Sequence, residues 1–117
     1  MKQDDLAYNL IHRFNLADSL KRTAGRRGSH GLHHGARFVS YRELDQRTNQ
    51  VARLLLSVGV TRGDTVGLLA LNSPEFLAIF YACARIGAAL VPVNLLLTAD
   101  EADYVLDKTR VKALFVD

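Results

Sequence analysis

Apolar and polar positions alternate with helical period between Ser40 and Gly59: Leu44, Val51, Leu54, Leu55 and Val58 form one stripe, and Arg42, Asp45, Gln46, Asn49 and Arg53 fall largely outside it. The spacing predicts a helix that buries one side. Ser40 stands three places before Glu43, the arrangement in which the hydroxyl accepts from one free amide while the carboxylate reaches back to another. Gly59 is the residue able to take the left-handed conformation that ends such a helix.

Beyond the turn "TRGD" the period changes. "TVGLLAL", residues 65–71, is apolar almost throughout, as a strand buried on both faces would be. Ser73-Pro74-Glu75 starts a second helix, with a serine cap, proline in the first helical position and an acid at the positive end of the helix dipole. It is expected to run to about Ile86, to bury Phe76, Ile79, Phe80 and Cys83, and to close at Gly87. "AALVPV" is a second buried strand whose Pro92, lacking an amide hydrogen, marks its end or an edge. Thr98 and Glu101 form a further capping pair before a short helix with Tyr104, Val105 and Leu106, and "KALFV" is a third strand. Strand, helix, strand, helix, strand is the alternation of a parallel sheet with right-handed crossovers.

The amino-terminal part is less regular. Leu6, Leu10, Ile11 and Phe14 lie near helical spacing, and "NLADSLKRTA" restarts the pattern with Asn15 as N-cap, so two short helices or one broken helix fit equally. "GRRGSHGLHHG", residues 25–35, reads as a flexible connection. "RFVSY" is a short strand, the second arm of a hairpin if the chain turns at His34-Gly35.

Composition narrows the class. Hydrophobic residues make up 49% of the 117 positions against 23% charged, which excludes a disordered chain and suits one small α/β domain. The net charge of +3 is unevenly spread, with Arg13, Lys21, Arg22, Arg26, Arg27 and all four histidines in the first 34 residues. No aromatic residue interleaves those arginines, and no nucleic-acid module follows, so specific nucleic-acid binding is not expected. Cys83 is alone in an apolar run, which rules out an internal disulfide, suits a cytoplasmic location and makes a buried, unreactive thiol the expectation. No apolar run is long enough for a membrane span and "MKQDDLAYNL" has no apolar h-region, so a chain neither exported nor membrane-spanning is expected.

Candidate chemistry is sparse. His30, His33 and His34 have imidazoles for a metal, but Gly28, Gly31 and Gly35 would leave them unfixed and no fourth ligand lies nearby. The glycines lack the Gly-Lys-Ser/Thr ending of a phosphate loop, and no Gly-x-Ser-x-Gly is present. In the loops expected at the strand ends, "NSPE" could turn helix-start amides toward an anion, whereas Asp100 and Glu101 in "NLLLTADE" read as first-turn acids.

Taken in order, Ser40-Tyr41-Arg42-Glu43-Leu44, Gly63-Asp64, Asn72-Ser73-Pro74-Glu75-Phe76, Arg85-Ile86-Gly87-Ala88 and Val91-Pro92-Val93-Asn94 resemble the amino-terminal region of adenylate-forming, AMP-binding enzymes of the acyl-CoA synthetase type. Asn94 before Leu97-Thr98 looks more like fatty or aryl acyl-CoA synthetases than peptide-synthetase adenylation domains. Leu95 stands where the family usually has proline, and residues 25–36 replace a Pro-containing link and strand.

The resemblance implies an α/β fold, a partial parallel sheet with flanking helices, as the opening part of an acyl-CoA synthetase large domain. Residues 1–36 would be a helical segment and flexible link, and 37–117 the incomplete start of the AMP-binding domain. It also implies a carboxylate substrate with ATP, magnesium and coenzyme A in a complete enzyme. No catalytic, cofactor-binding or metal-ligating residue is expected within these positions, so the chain alone is expected to be inactive. The alternative is a small non-catalytic α/β binding module. In either case self-association through an exposed sheet is expected.

Overall fold

The computed structural model describes residues 15–117. The helical pattern of Leu6, Leu10, Ile11 and Phe14 lies outside the described residues. Asn15 caps α1 (Leu16–Arg26) through a full capping box: its side chain accepts from the Ala17 amide at 2.8 Å, and Asp18 accepts from the Asn15 amide at 3.0 Å. The hairpin β1 (Gly31–His34) and β2 (Arg37–Ser40) follows, with Leu32 opposite Val39 and the turn at Gly35, whose φ is +60°.

This corrects the reading of residues 25–35 as a flexible connection. Gly28 and Gly31 serve close packing: a Cβ on Gly31 would lie 2.0 Å from the Val39 carbonyl oxygen, and one on Gly28 2.6 Å from the Ala24 carbonyl oxygen. The Tyr41 amide donates to the His30 carbonyl at 2.7 Å and the Arg42 amide to Gly28 at 3.2 Å, which ties the segment to the next helix.

That helix, α2 (Tyr41–Ser57), buries Leu44, Thr48, Ala52 and Leu55, a row at i, i+4, i+8 and i+11. Leu54 and Val58 from the expected stripe are instead exposed, since Leu54 lies about a third of a turn away from that row and Val58 is the C-cap beyond the helix. Thr48 is fully buried at no polar cost because its hydroxyl donates to the Leu44 carbonyl at 2.7 Å. Only half of the expected capping box forms. Ser40 accepts from the Glu43 amide at 3.1 Å, but the Glu43 carboxylate turns to Arg47, 2.6 Å away.

A parallel sheet of order β4–β3–β5 carries the rest: β3 (Thr65–Leu69), β4 (Ala89–Pro92) and β5 (Val111–Val116). β3 is the central strand, which explains its continuous apolar run. β4 and β5 are edges, and Pro92 is the last residue of β4, where a missing amide hydrogen is tolerated. The expectation that "AALVPV" is a buried strand does not hold: Ala89 and Pro92 are exposed, because among the described residues no strand pairs with β4 on its outer side. At the start of β5 the register skips Lys112, whose ammonium lies 3.1 Å from Asp64.

α3 (Pro74–Ile86) begins at Ser73, whose hydroxyl accepts from the Phe76 amide at 3.1 Å, and ends at Gly87 with φ +77°. It buries Ala78, Ile79, Ala82 and Cys83, while Phe76 and Phe80 are only partly covered. Val66 and Leu68 of β3 pack with Ala52, Leu55, Ile79 and Cys83 into the main core, and burial of each leucine contributes roughly 1.5–3 kcal/mol. Leu20, Val39, Leu44 and Ala78 form a second core that seats α1 and the hairpin on the outer side of α2 and α3. On the opposite face of the sheet, Leu106 of α4 (Ala99–Lys108) and Leu114 close over Gly67. α4 buries none of its residues, and Tyr104 and Leu114 stay substantially exposed.

Candidate functional site

Ligands of open parallel sheets bind beyond the carboxyl ends of the strands. Here those ends open on two adjoining clefts. One, of about 440 Å³, is lined by Leu71, Asn72, Phe76, Val93, Asn94 and Leu96 among others and is mainly apolar. The other, of about 450 Å³, is more polar and brings His34, Arg37, Ser73, Glu75 and Asp117 around Ala70 and Phe76. The helix starts and hairpin that supply these groups are the capped elements described above.

Four polar side chains of this rim, Ser73, Asn94, Arg37 and Glu75, are already engaged. The Ser73 hydroxyl holds the Phe76 amide, and Asn94 accepts from the Leu96 amide at 2.9 Å. Glu75 receives Arg37 at 2.7 Å and Arg47 at 3.1 Å, and Arg47 continues to Glu43. This ion-pair chain joins β2, α2 and the start of α3. The hydrogen bond from Arg37 is the main reason that the Glu75 carboxyl is held down at about 2. Glu75 places a carboxylate in the first turn of α3, where its charge opposes a phosphate.

The residues weighed from sequence are dispersed. His34 borders the polar cleft, whereas His33 rests against the Phe38 ring with centroids 5.0 Å apart, and His30 bonds through its backbone, its amide donating to the Arg27 carbonyl and its carbonyl accepting from the Tyr41 amide. Among the described residues no three His, Cys, Asp or Glu side chains gather as metal ligands. Cys83 is buried, and loss of solvent pushes its thiol up to about 11, as an unreactive core residue requires. Asp100 and Glu101 sit in the first turn of α4, with Glu101 accepting from the Thr98 amide at 2.8 Å. Sequence reasoning missed the Arg37–Glu75–Arg47 connection, since partners 28 and 38 residues apart leave no local pattern. It also set Asp45 and Asn49 outside the packing stripe, yet both hold Arg85 of α3.

Comparison with known proteins accounts for a scaffold of this kind at strand ends. The model of the family described as "AMP-binding enzyme" matches residues 17–117. The acyl-CoA ligase SID4 of Ajellomyces capsulatus is 40% identical over 77 residues, which cover 66% of this chain and 13% of that protein. The crystal structure of the anthranilate CoA ligase AuaEII in complex with anthranoyl-AMP superposes with a TM-score of 0.84 at 34% identity, over 88% of this chain and 20% of the other. The inhibitor-bound N-terminal domain of FACL13 from Mycobacterium tuberculosis gives 0.82 at 29% identity, over 86% and 26%. The chain thus spans about an eighth of the length of the first of these relatives. With the parallel sheet and its capped helices matching throughout, the chain belongs to the AMP-binding enzyme family.

Proposed function

We propose that these residues are the opening scaffold of an ATP-dependent acyl-CoA ligase acting on a fatty or aryl carboxylic acid in the cytoplasm. In such an enzyme the carboxylate attacks ATP to give an acyl-adenylate and pyrophosphate. The thiol of coenzyme A then displaces AMP to give the thioester. The groups that bind ATP, magnesium and coenzyme A would come from polypeptide outside this chain. The observation that carries the reading is the family match over residues 17–117, joined to a strand-end rim where Ser73, Asn94, Arg37 and Glu75 are spent on a cap, a turn and ion pairs. The part played by these residues is to fix the first strands and the walls of the cleft.

The test is carboxylate-dependent ATP–pyrophosphate exchange by the purified chain, which should be silent; robust exchange would place the chemistry within it and overturn the proposal. The DNA following codon 117 gives a second check, since an open frame encoding a Ser/Thr/Gly-rich phosphate loop is the expected result. A self-associating module without chemistry is the second reading, favoured by the exposed Leu71, Leu96 and Val116 at one end of the sheet. Light scattering separates the two: a monodisperse species supports the module, and an aggregating one supports the scaffold.

A further inference from the structure

Between residues 16 and 42 there are six arginines and lysines and one acid, Asp18, which is occupied by the Asn15 amide. Arg37 pairs with Glu75. The other five, Lys21, Arg22, Arg26, Arg27 and Arg42, are all exposed, and none forms an ion pair among the described residues.

The fold gathers them. Arg22 and Arg26 lie on the side of α1 away from the buried Ala17, Leu20 and Ala24, and Lys21 is exposed at the flank of that buried face. Arg27 follows directly as the C-cap, and the bond from the Arg42 amide to the Gly28 carbonyl sets the first turn of α2 against it. The Arg42 guanidinium covers Gly28 so closely that a Cβ there would lie 2.6 Å from it. Cations near the end of a helix favour its carbonyl dipole, which explains Arg26 and Arg42. It does not explain Lys21 and Arg22 in mid-helix, or why like charges are assembled without an acid between them.

We infer that the exposed face of α1, its C-cap and the first turn of α2 form a peripheral docking surface for the headgroups of an anionic phospholipid membrane. The apolar side of α1 is committed to the core, with Leu20 buried, so the contact is electrostatic and superficial. Single-stranded nucleic acid fits less well, because its binders present aromatic faces for stacking. Of the aromatic residues nearby, Phe38 is engaged with His33 and Tyr41 packs against the second core.

The test is co-sedimentation of the full chain with vesicles of phosphatidylcholine alone or mixed with phosphatidylglycerol. Binding is expected only to the mixed vesicles and should fall steeply with added salt. Replacing Arg22 and Arg26 together by Gln should weaken partitioning roughly twenty-five-fold, about fivefold for each cation lost. The pair Arg22→Lys with Arg26→Lys, which keeps the charge, should bind as the parent does, and so should Lys108→Gln on α4. Equal binding to uncharged vesicles, undiminished binding by the Gln pair, or equal loss in Lys108→Gln would each overturn the proposal. So would displacement from vesicles by single-stranded RNA at lower phosphate concentration than by phosphatidylglycerol.

Discussion

Arg85, near the end of α3, donates from one guanidinium nitrogen to the Asn49 side chain of α2 at 2.8 Å and pairs through the other with the Asp45 carboxylate. It also reaches the Asp45 backbone carbonyl at 3.2 Å, and only 16% of its side chain is exposed. The planar fork thus holds two helices at three points, which a single ammonium could not reproduce. Arg85→Gln should cost about 2 kcal/mol of stability, and Arg85→Lys should recover only part of it. Urea unfolding followed by circular dichroism measures both, and a midpoint unchanged in the Gln variant would show that the clamp is idle.

Glu75 gives the molecule an acid-sensitive seam. Its carboxyl is held at about 2, below the ordinary value of 4.5, first by the Arg37 hydrogen bond. A depressed carboxyl contributes stability that is complete above the ordinary value and lost as pH falls toward the folded one. Half-exposure of both partners screens the pair, so the loss between about pH 4.5 and 2 should be no more than about 1 kcal/mol. Glu75→Gln should remove that part of the pH dependence of thermal unfolding, with Arg37→Gln acting in the same direction.

Gly31 tests whether the hairpin is a built part of the fold. Ala in its place would press a methyl group against the Val39 carbonyl and the Ser40 backbone, neither of which can rotate away. Gly31→Ala should therefore destabilise by roughly 1–3 kcal/mol. Gly25→Ala, where nothing lies within 4 Å of the added carbon, should be neutral or slightly stabilising. Equal melting temperatures for the two variants would contradict this account.

Cys83 should react with a thiol reagent only when the core opens. Burial and the raised thiol both suppress the thiolate at neutral pH. Labelling followed by absorbance should be slow in buffer and immediate in denaturant. Rapid labelling of the native chain would mean that the α3 face of the sheet is looser than its packing indicates.

Local signals in the sequence were read well. Ser40, Ser73 and Thr98 each cap the helix expected of them, and Gly59 and Gly87 take the left-handed φ that ends one. The apolar run in β3 correctly indicated a strand buried on both faces, and its central place in the sheet is the structural reason. Two readings failed where a distant partner decides the outcome. Leu54 and Val58 look like core residues until the packing direction of α2 is known, and the glycines near Gly31 look like a linker until Val39 is seen beside them. The cleft was legible in position, at the strand ends, but its ionic wall was not, since Arg37, Arg47 and Glu75 come from three separate elements.

The order β4–β3–β5 has a bearing on how the chain is made. The strand that leaves the ribosome first occupies the middle, and both of its neighbours are synthesised after it. One flank of β3 stays without a hydrogen-bonding partner until Val116 has emerged. A product stopped before Val111 would keep α2, α3 and the first parallel pair, yet expose the innermost strand as an adhesive edge.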